Sequence, residues 1–148
     1  MPAQTVLEEL TTDELTSDHV RKRVDDWSSR IDNLYQTMEE WLPNGWTARC
    51  GASVSMNEEL MQNSGVPARD LPTLELLHDG TVGVKIRPYG LWIIGANGRI
   101  DLVKGRDRYL ILDHAKTFEV PNWHIAAAIE RQNSKPFDRG QLEALLAA

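Results

Sequence analysis

The chain has 148 residues and a mass of 16.7 kDa, which fits a single domain. Hydrophobic residues make up 41% of it and charged residues 26%, an ordinary globular composition that excludes a disordered chain or a fibrous repeat. The single cysteine, Cys50, excludes an intrachain disulfide and fits a reducing compartment. We therefore expect one domain over 1–148, built from an acidic helical segment (1–46), a β-rich region (47–121) and a C-terminal helical segment (122–148).

The sequence carries no sign of export or membrane insertion. Its start, MPAQTVLEEL, has acidic residues where a signal peptide has basic ones, so we expect no secretion signal. The longest apolar runs, 91–94 and 125–129, are far shorter than the roughly 20 residues that cross a bilayer. These features predict a cytoplasmic protein.

The net charge of −6 is concentrated at one end of the chain. Residues 1–46 contain ten acidic and four basic residues, whereas residues 47–148 contain twelve of each. A nucleic-acid-binding protein needs clustered lysine and arginine to neutralise phosphates, so this charge pattern disfavours nucleic acid as the main partner. The acidic segment instead favours another protein, with a basic surface, as the partner.

A long amphipathic helix is predicted over 18–42. Its apolar residues alternate at spacings of four and three: Val20, Val24, Trp27, Ile31, Leu34, Met38 and Trp41. The same spacing is a heptad pattern, so a coiled coil and a homodimer through this helix are one interpretation. Tryptophan fits poorly in a two-stranded coil, however, which favours packing of the stripe against the chain's own sheet. A shorter helix is predicted over 5–16.

The β-rich region is predicted to form an antiparallel meander. Residues 47–55 alternate, a short helix follows at 57–63, and five candidate strands come next, at 73–78, 81–87, 91–96, 99–104 and 108–113. The connections are too short for crossover helices. Residues 122–132 form either a helix or, over 123–129, another strand, and Asp138 begins a final helix. The fold class is therefore α+β, with five to six strands packed by a long N-terminal and a short C-terminal helix.

Three predicted turns, at Pro88-Tyr89, Asn97-Gly98 and 105–107, bring the apolar strand residues to one face of the sheet. That face contains Val82, Val84, Ile86, Leu91, Ile93, Ile100, Leu102, Leu110 and Leu112. Leu74 and Leu76 join it if the Asp79-Gly80 hairpin contains a bulge. The opposite face then carries the candidate binding residues Lys85, Trp92, Arg99, Asp101, Tyr109 and Asp113.

The residues on this opposite face are expected to form specific contacts with one another. Lys85 lies beside Trp92 in a cation–π contact, and Arg99 lies opposite Asp113 in an ion pair. Asp101 is open to solvent, bonded to Arg99 or functional, because an unpartnered buried carboxylate is costly. Either the C-terminal helix covers this face, or the face binds a partner through aromatic anchors with a polar surround.

The sequence contains no phosphate loop, dinucleotide fingerprint, nucleophile elbow or zincin helix, and we expect neither a cofactor nor a metal ion. We therefore predict a non-enzymatic binding or adaptor protein, with the profile of bacterial chaperones, immunity proteins and phage-encoded inhibitors. One alternative is a metal-dependent nuclease or hydrolase in which Asp101 and Asp113 flank the metal, aided by Glu75 or His78. A second is a nucleic-acid-binding module that uses Lys85, Trp92, Arg99 and Tyr109.

Overall fold

A computed structural model describes residues 16–148, so the predicted helix over 5–16 lies outside the described residues. Three α-helices, nine strands and one 3₁₀ turn make up the described part of the chain. In order they are α1 (Ser17–Glu40), β1 (Trp46–Cys50), β2 (Val54–Met56), α2 (Glu59–Asn63), β3 (Arg69–Leu71), β4 (Leu74–His78), β5 (Thr81–Gly90), β6 (Arg99–Lys104), β7 (Asp107–Asp113), β8 (Trp123–Ala127), the 3₁₀ turn (Ala128–Glu130), β9 (Lys135–Pro136) and α3 (Arg139–Ala147).

Seven strands form one antiparallel sheet in the order β1-β4-β5-β6-β7-β8-β9. Strands β2 and β3 form a separate small sheet. From β4 onward each strand pairs with the next one in the chain, as short connections require. The predicted α+β class is confirmed, with an antiparallel sheet, a long N-terminal helix and a short C-terminal helix.

Helix α1 forms where the apolar stripe predicted it. The Thr16 hydroxyl accepts a hydrogen bond from the His19 amide (3.2 Å) and caps the helix, which ends shortly before Pro43. Six stripe residues are almost fully buried in the core of the same chain: Val20, Val24, Trp27, Ile31, Leu34 and Met38. The intramolecular interpretation of the stripe is therefore correct, and these six side chains are not available for a coiled coil.

Helix α3 also begins where it was predicted, because Asp138 accepts a hydrogen bond from the Gln141 amide (2.9 Å). Its leucines join the core that contains the α1 stripe. Lys104, which by alternation lies on the same side of β6 as Leu102, donates to the carbonyls of Leu145 and Ala148, each at 2.6 Å. Both helices thus pack on one side of the sheet, and the expectation that α3 covers the opposite side is wrong.

The predicted strand 91–96 and the Asn97-Gly98 hairpin are wrong. Strand β5 continues to Gly90 and pairs directly with β6, so that Ile86 lies opposite Leu102 and Pro88 opposite Ile100. Residues 91–98 form the connecting loop. The Glu58 carboxylate holds the start of this loop by accepting the amides of Leu91 (2.8 Å) and Trp92 (3.3 Å).

The predicted three-residue turn at 105–107 is one residue too long. Lys104 pairs with Asp107, so the turn contains only Gly105 and Arg106. The φ of +60° at Gly105 suits the first central position of a type II′ turn. The shift moves Tyr109 and Ile111 to the helix side and turns Leu110 and Leu112 to the other side, which reverses their predicted faces.

The hairpin between β4 and β5 contains a tight turn and a bulge. Leu74 and Leu76 lie on the predicted apolar face, opposite Ile86 and Val84, but the bulge falls inside the strand pair rather than in the turn. Asp79 and Gly80 form a two-residue turn with φ of +51° and +83°, as a type I′ turn requires. Residues 123–127 form a strand, so the strand alternative for this segment is correct and the helix over 122–132 is wrong. Within residues 16–148, no helix is long and apolar enough to span a membrane.

Candidate binding surface

The side of the large sheet that faces away from α1 is called the outer face here. Strand pairing arranges its side chains in rows that run across neighbouring strands. The first row contains Glu75, Lys85, Val103 and Arg108; the second contains Arg87, Asp101, Leu110 and Ala126; the third contains Arg99, Leu112 and His124. Helices α1 and α3 pack on the other side. Among the side chains of the outer face, those of Lys85, Arg87 and Arg108 are exposed.

Three cations of the outer face have no carboxylate partner among the described residues. Lys85, Arg87 and Arg108 are exposed and form no ion pair there. Lys85 and Arg108 flank Val103 from two strands apart, which is about 10 Å, and Arg87 follows Lys85 by about 7 Å along the strand. An acidic protein therefore presents a local cluster of positive charge.

Apolar side chains lie between and beside these cations. Val103 and Leu112 are partly exposed, while Leu110 and Ala126 are buried. A central apolar area with a charged surround is the composition of protein interfaces in which a few central residues dominate the affinity.

Arg99 links the charged and aromatic parts of the outer face. Its guanidinium donates to both oxygens of Asp101, at 2.8 and 3.3 Å, which confirms one of the expected states of Asp101. The guanidinium carbon also lies 3.9 Å from the centroid of the Tyr89 ring. Tyr89 has no partner in the strand register because of a bulge between Pro88 and Gly90, and 61% of its surface is exposed.

A cavity of about 280 Å³ adjoins the cations of β5. Lys85 and Arg87 contribute to its wall, together with the segment around Ser53 and the start of β4. This volume is sufficient for one or two side chains of a bound partner. Arg49 lies on the same side of the sheet, but Glu75 neutralises it in an ion pair of 2.8 Å.

Asp113, one of the predicted site residues, lies on the inner side of the sheet and is fully buried. One carboxylate oxygen accepts the amides of Ala115 and Asn122, each at 2.9 Å, and the other accepts Arg30 Nη1 at 2.8 Å. The predicted ion pair of Arg99 with Asp113 is therefore wrong. Asp101 and Asp113 are on opposite sides of the sheet, so they do not flank one metal ion.

Trp92 and Tyr109 are also absent from the outer face. Trp92 lies in the 91–98 loop, where the Arg23 guanidinium carbon is 5.6 Å from its ring centroid. Tyr109 pairs with Leu102 and packs against the core. The predicted contact of Lys85 with Trp92 is wrong, and only Lys85, Arg99 and Asp101 of the six predicted residues lie together.

Sequence reasoning missed Arg87, Tyr89, Arg108 and Leu112 as members of this surface. A signal existed in the sequence, where charged residues at 85 and 87 alternate with apolar residues at 84, 86 and 88; in the structure the charged residues are exposed and the apolar ones are buried. The alternation continues through Pro88, which indicates a strand that does not turn at this proline. The other missed residues depended on the turn length at Gly105.

Glu58, which holds the 91–98 loop, and His124 of the outer face have shifted pKa values. Burial raises the pKa of Glu58, although the amides of Leu91 and Trp92 and the charge of Arg23 oppose the rise. Burial lowers the pKa of His124, and the nearby His114, whose ring centroid is 4.4 Å away, lowers it further. Within residues 16–148 no three histidine, cysteine or carboxylate side chains are grouped so that they would hold a metal ion.

A second concave region lies on the inner side, where Tyr109, the segment 130–135 and α3 enclose a groove of about 690 Å³. Its rim mixes amide side chains with one acid, Glu130, and one base, Lys135, and carries no concentration of charge.

No family model, curated protein or solved structure matches this chain. The outer face therefore provides the best-defined basis for a functional hypothesis.

Proposed function

We propose that this is a non-enzymatic binding or adaptor protein that holds an acidic protein segment on its outer face. The observation that carries the proposal is the outer face, on which the exposed cations Lys85, Arg87 and Arg108 are arranged around partly exposed apolar side chains. Apolar contacts at Val103 and Leu112 would supply affinity, and the cations would supply orientation and a fast encounter. Cys50, the single cysteine, is exposed, and a reducing, cytoplasmic setting suits it.

The charge of the outer face favours an acidic partner over the basic one that the acidic N-terminal segment suggested. The exposed acids of α1, such as Asp32, Glu39 and Glu40, could attract a basic protein at long range. However, the apolar residues of α1 are buried inside the chain, so that surface offers charge without an apolar centre. The outer face combines both.

Nucleic acid is the second candidate, and the aromatic residues disfavour it. Binding of single strands relies on several aromatic rings on which bases stack. Trp92 and Tyr109 are away from the outer face, and Arg99 already covers one side of the Tyr89 ring. Apolar aliphatic residues occupy the positions between the cations, which suits the side chains of a protein.

The test compares two variants that each lose three positive charges. One replaces the outer-face cations (Lys85→Gln, Arg87→Gln, Arg108→Gln), and the matched control replaces exposed cations elsewhere (Lys22→Gln, Arg131→Gln, Arg139→Gln). The probe is a fluorescent synthetic peptide of four Glu-Glu-Leu repeats, and its affinity is measured by anisotropy. Loss of three exposed ion pairs at about 0.5 kcal/mol each predicts a roughly tenfold weaker affinity for the first variant.

The control variant should bind within about twofold of the wild type, since exposed charges far from the site are screened by salt. Equal weakening of both variants would show that net charge alone determines binding and would contradict the proposal. An oligothymidine with the same charge as the peptide provides a further comparison. If it bound more tightly than the peptide, the result would favour nucleic acid as the ligand of the outer face.

A further inference from the structure

We propose that two copies of this chain pair through strand β1 in solution, in antiparallel orientation around a two-fold axis at Ala48. The pairing joins the two seven-stranded sheets into one continuous sheet. It uses the edge of the sheet and does not depend on the proposed function of the outer face. Three observations support it: the hydrogen-bonding groups that β1 leaves free, the contrast between the two edges of the sheet, and the side chains that the pairing brings together.

Two hydrogen bonds at the ends of β1 define which backbone groups of this strand point toward β4. The Gly51 amide donates to the Thr73 carbonyl (3.1 Å), and the Asp79 amide donates to the Gly45 carbonyl (3.2 Å). Both pairs continue the register of β1 with β4. In an antiparallel ladder, residue pairs that exchange hydrogen bonds alternate with pairs that do not. The pattern between these two ends is therefore determined.

Five backbone groups of β1 point away from the sheet. Thr47 and Arg49 exchange hydrogen bonds with β4, so Trp46, Ala48 and Cys50 direct their backbone groups to the free edge. The Trp46 amide donates to a carbonyl of the preceding turn at 3.2 Å. The Trp46 carbonyl and both groups of Ala48 and Cys50 have no hydrogen-bond partner within residues 16–148. An edge of this kind is a template for another strand.

The two edges of the large sheet differ in their protection against pairing. Strand β9 has only two residues, Lys135 and Pro136, and so combines three features that block a further strand: short length, a lysine and a proline. Strand β1 has five residues without a proline, a lysine or a bulge. Its one charged residue, Arg49, is already paired with Glu75 at 2.8 Å. Only the β1 edge is therefore suited to strand pairing.

A second copy of β1 fits the free groups of the first. With the two-fold axis at Ala48, the two Ala48 residues exchange two hydrogen bonds, and each Cys50 amide donates to the Trp46 carbonyl of the other copy, which makes four bonds in total. The alanine at the axis has the smallest side chain of the strand, so the backbones can approach closely.

The side chains on the other side of β1 are also compatible. Thr47 and Arg49 are both exposed, and in this register Thr47 of each copy lies opposite Arg49 of the other. Like charges directly opposite one another destabilise a strand pair, and this register contains none. The occupant that matches the edge in both hydrogen bonding and charge is thus the chain itself.

Pairing at β1 also determines where the two outer faces lie. The two-fold axis of an antiparallel strand pair is perpendicular to the sheet, so both outer faces point to the same side. Lys85 is two strands away from β1, and the two Lys85 side chains are therefore about 24 Å apart, or five strand spacings. A partner with two acidic segments would engage both copies at once. This consequence alone rests on the proposed function.

The test measures the mass of the full chain by sedimentation equilibrium without any ligand. A pair of five-residue strands is smaller than the interfaces of about 1,200–2,000 Å² that stable complexes bury, so we expect a dimer with a dissociation constant in the micromolar range. Over about 10–500 µM the mass should rise from 16.7 kDa toward twice that value. A mass of 16.7 kDa at every concentration would overturn the inference.

Two substitutions at Thr47 should change the affinity in opposite directions. Thr47→Glu places a carboxylate opposite Arg49 of the second copy and should tighten the dimer about fivefold, whereas Thr47→Arg places two cations opposite one another and should weaken it about fivefold. Net charge alone predicts the reverse order, because the chain carries −6. The matched controls Thr81→Glu and Thr81→Arg change an exposed threonine two strands away and should change the affinity by less than about twofold.

A third substitution removes one free backbone group. The Ala48 amide points away from β4, so Ala48→Pro leaves the β1–β4 ladder intact and should abolish the dimer. Circular dichroism checks that this variant folds, and the Thr47 series decides the question if it does not. In the wild type, hydrogen exchange of the Cys50 amide should slow as the concentration rises. A dimer that is indifferent to the Thr47 substitutions, or one that leaves Cys50 exchange unchanged, would overturn the inference. Failure of the proposed function is a separate result, since it is measured by the binding of the Glu-Glu-Leu peptide.

Discussion

Replacement of Asp113 by alanine should strongly destabilise the protein. The carboxylate is fully buried, accepts three hydrogen bonds and faces the Arg30 side chain, which is 4% exposed. Breaking a buried ion pair from one side costs about 3–5 kcal/mol because it leaves a buried charge. In the variant, Asp26 still forms an ion pair with Arg30 (2.5 Å) and compensates part of its charge. The amides of Ala115 and Asn122, however, lose their hydrogen-bond acceptor. We expect a net loss of about 4 kcal/mol.

Urea unfolding followed by tryptophan fluorescence measures this loss of stability. Two further variants serve as comparisons. Asp113→Asn keeps an acceptor for the amides but removes the charge, so its cost should be intermediate, about 2–3 kcal/mol. Asp101→Ala removes a partly exposed ion pair on the outer face and should cost less than about 1 kcal/mol. At about 3 °C per kcal/mol, Asp113→Ala should lower the melting temperature by about 12 °C.

Two results would contradict the placement of Asp113 and Asp101 on opposite sides of the sheet. If Asp113→Ala were within about 1 kcal/mol of the wild type, the carboxylate would not be the buried structural group described above. If Asp101→Ala were as costly as Asp113→Ala, the assignment of the two acids to opposite sides of the sheet would be wrong.

Two further predictions concern the loop 91–98 and its surroundings. Gly98→Ala should cost about 3 kcal/mol in urea unfolding, because φ is +108° there and an added Cβ would overlap the Trp27 indole; a cost below about 1 kcal/mol would contradict this packing. The raised pKa of Glu58 means that the folded state binds the proton more tightly than the unfolded state, so its contribution to stability is present at low pH and is lost as the pH rises through the folded pKa. The unfolding free energy of the wild type, measured relative to that of Glu58→Gln, should therefore increase as the pH falls from about 7 toward about 4. A difference between the two proteins that does not depend on pH would contradict this prediction.

Local patterns in the sequence were sufficient to predict the helices. The α1 stripe is unbroken over six turns, so one helix satisfies every apolar position. Asp138 and Gln141 similarly define the start of α3. These signals are short-range, and tertiary contacts did not override them.

The strand registers depended on interactions that no local pattern reveals. Arg87-Pro88-Tyr89-Gly90 suits a tight turn, but Pro88 remains in β5 and the chain turns only later, where Glu58 holds the following amides from about thirty residues upstream. At 105–107 a difference of one residue in turn length exchanged the faces of Tyr109 and Leu110. The candidate surface was therefore predicted on the correct sheet but with half of its members misplaced.

The role of Asp113 was equally invisible in the sequence. Its partner Arg30 is 83 residues away, on the helix that crosses the inner face. Next to His114 the residue has the features of an acid–base pair, whereas in the fold it binds the start and the end of the connection between β7 and β8. Only long-range packing distinguishes these two roles.

Chemical-shift mapping by NMR tests the outer face most directly. On titration with the Glu-Glu-Leu peptide, the largest amide and methyl changes should fall at Lys85, Val103, Arg108 and Leu112. The exposed side of α1 and the groove beside α3 should change little. Changes concentrated at Gln141 and the rest of that groove, or spread evenly over the molecule, would contradict the assignment of the outer face as the binding surface.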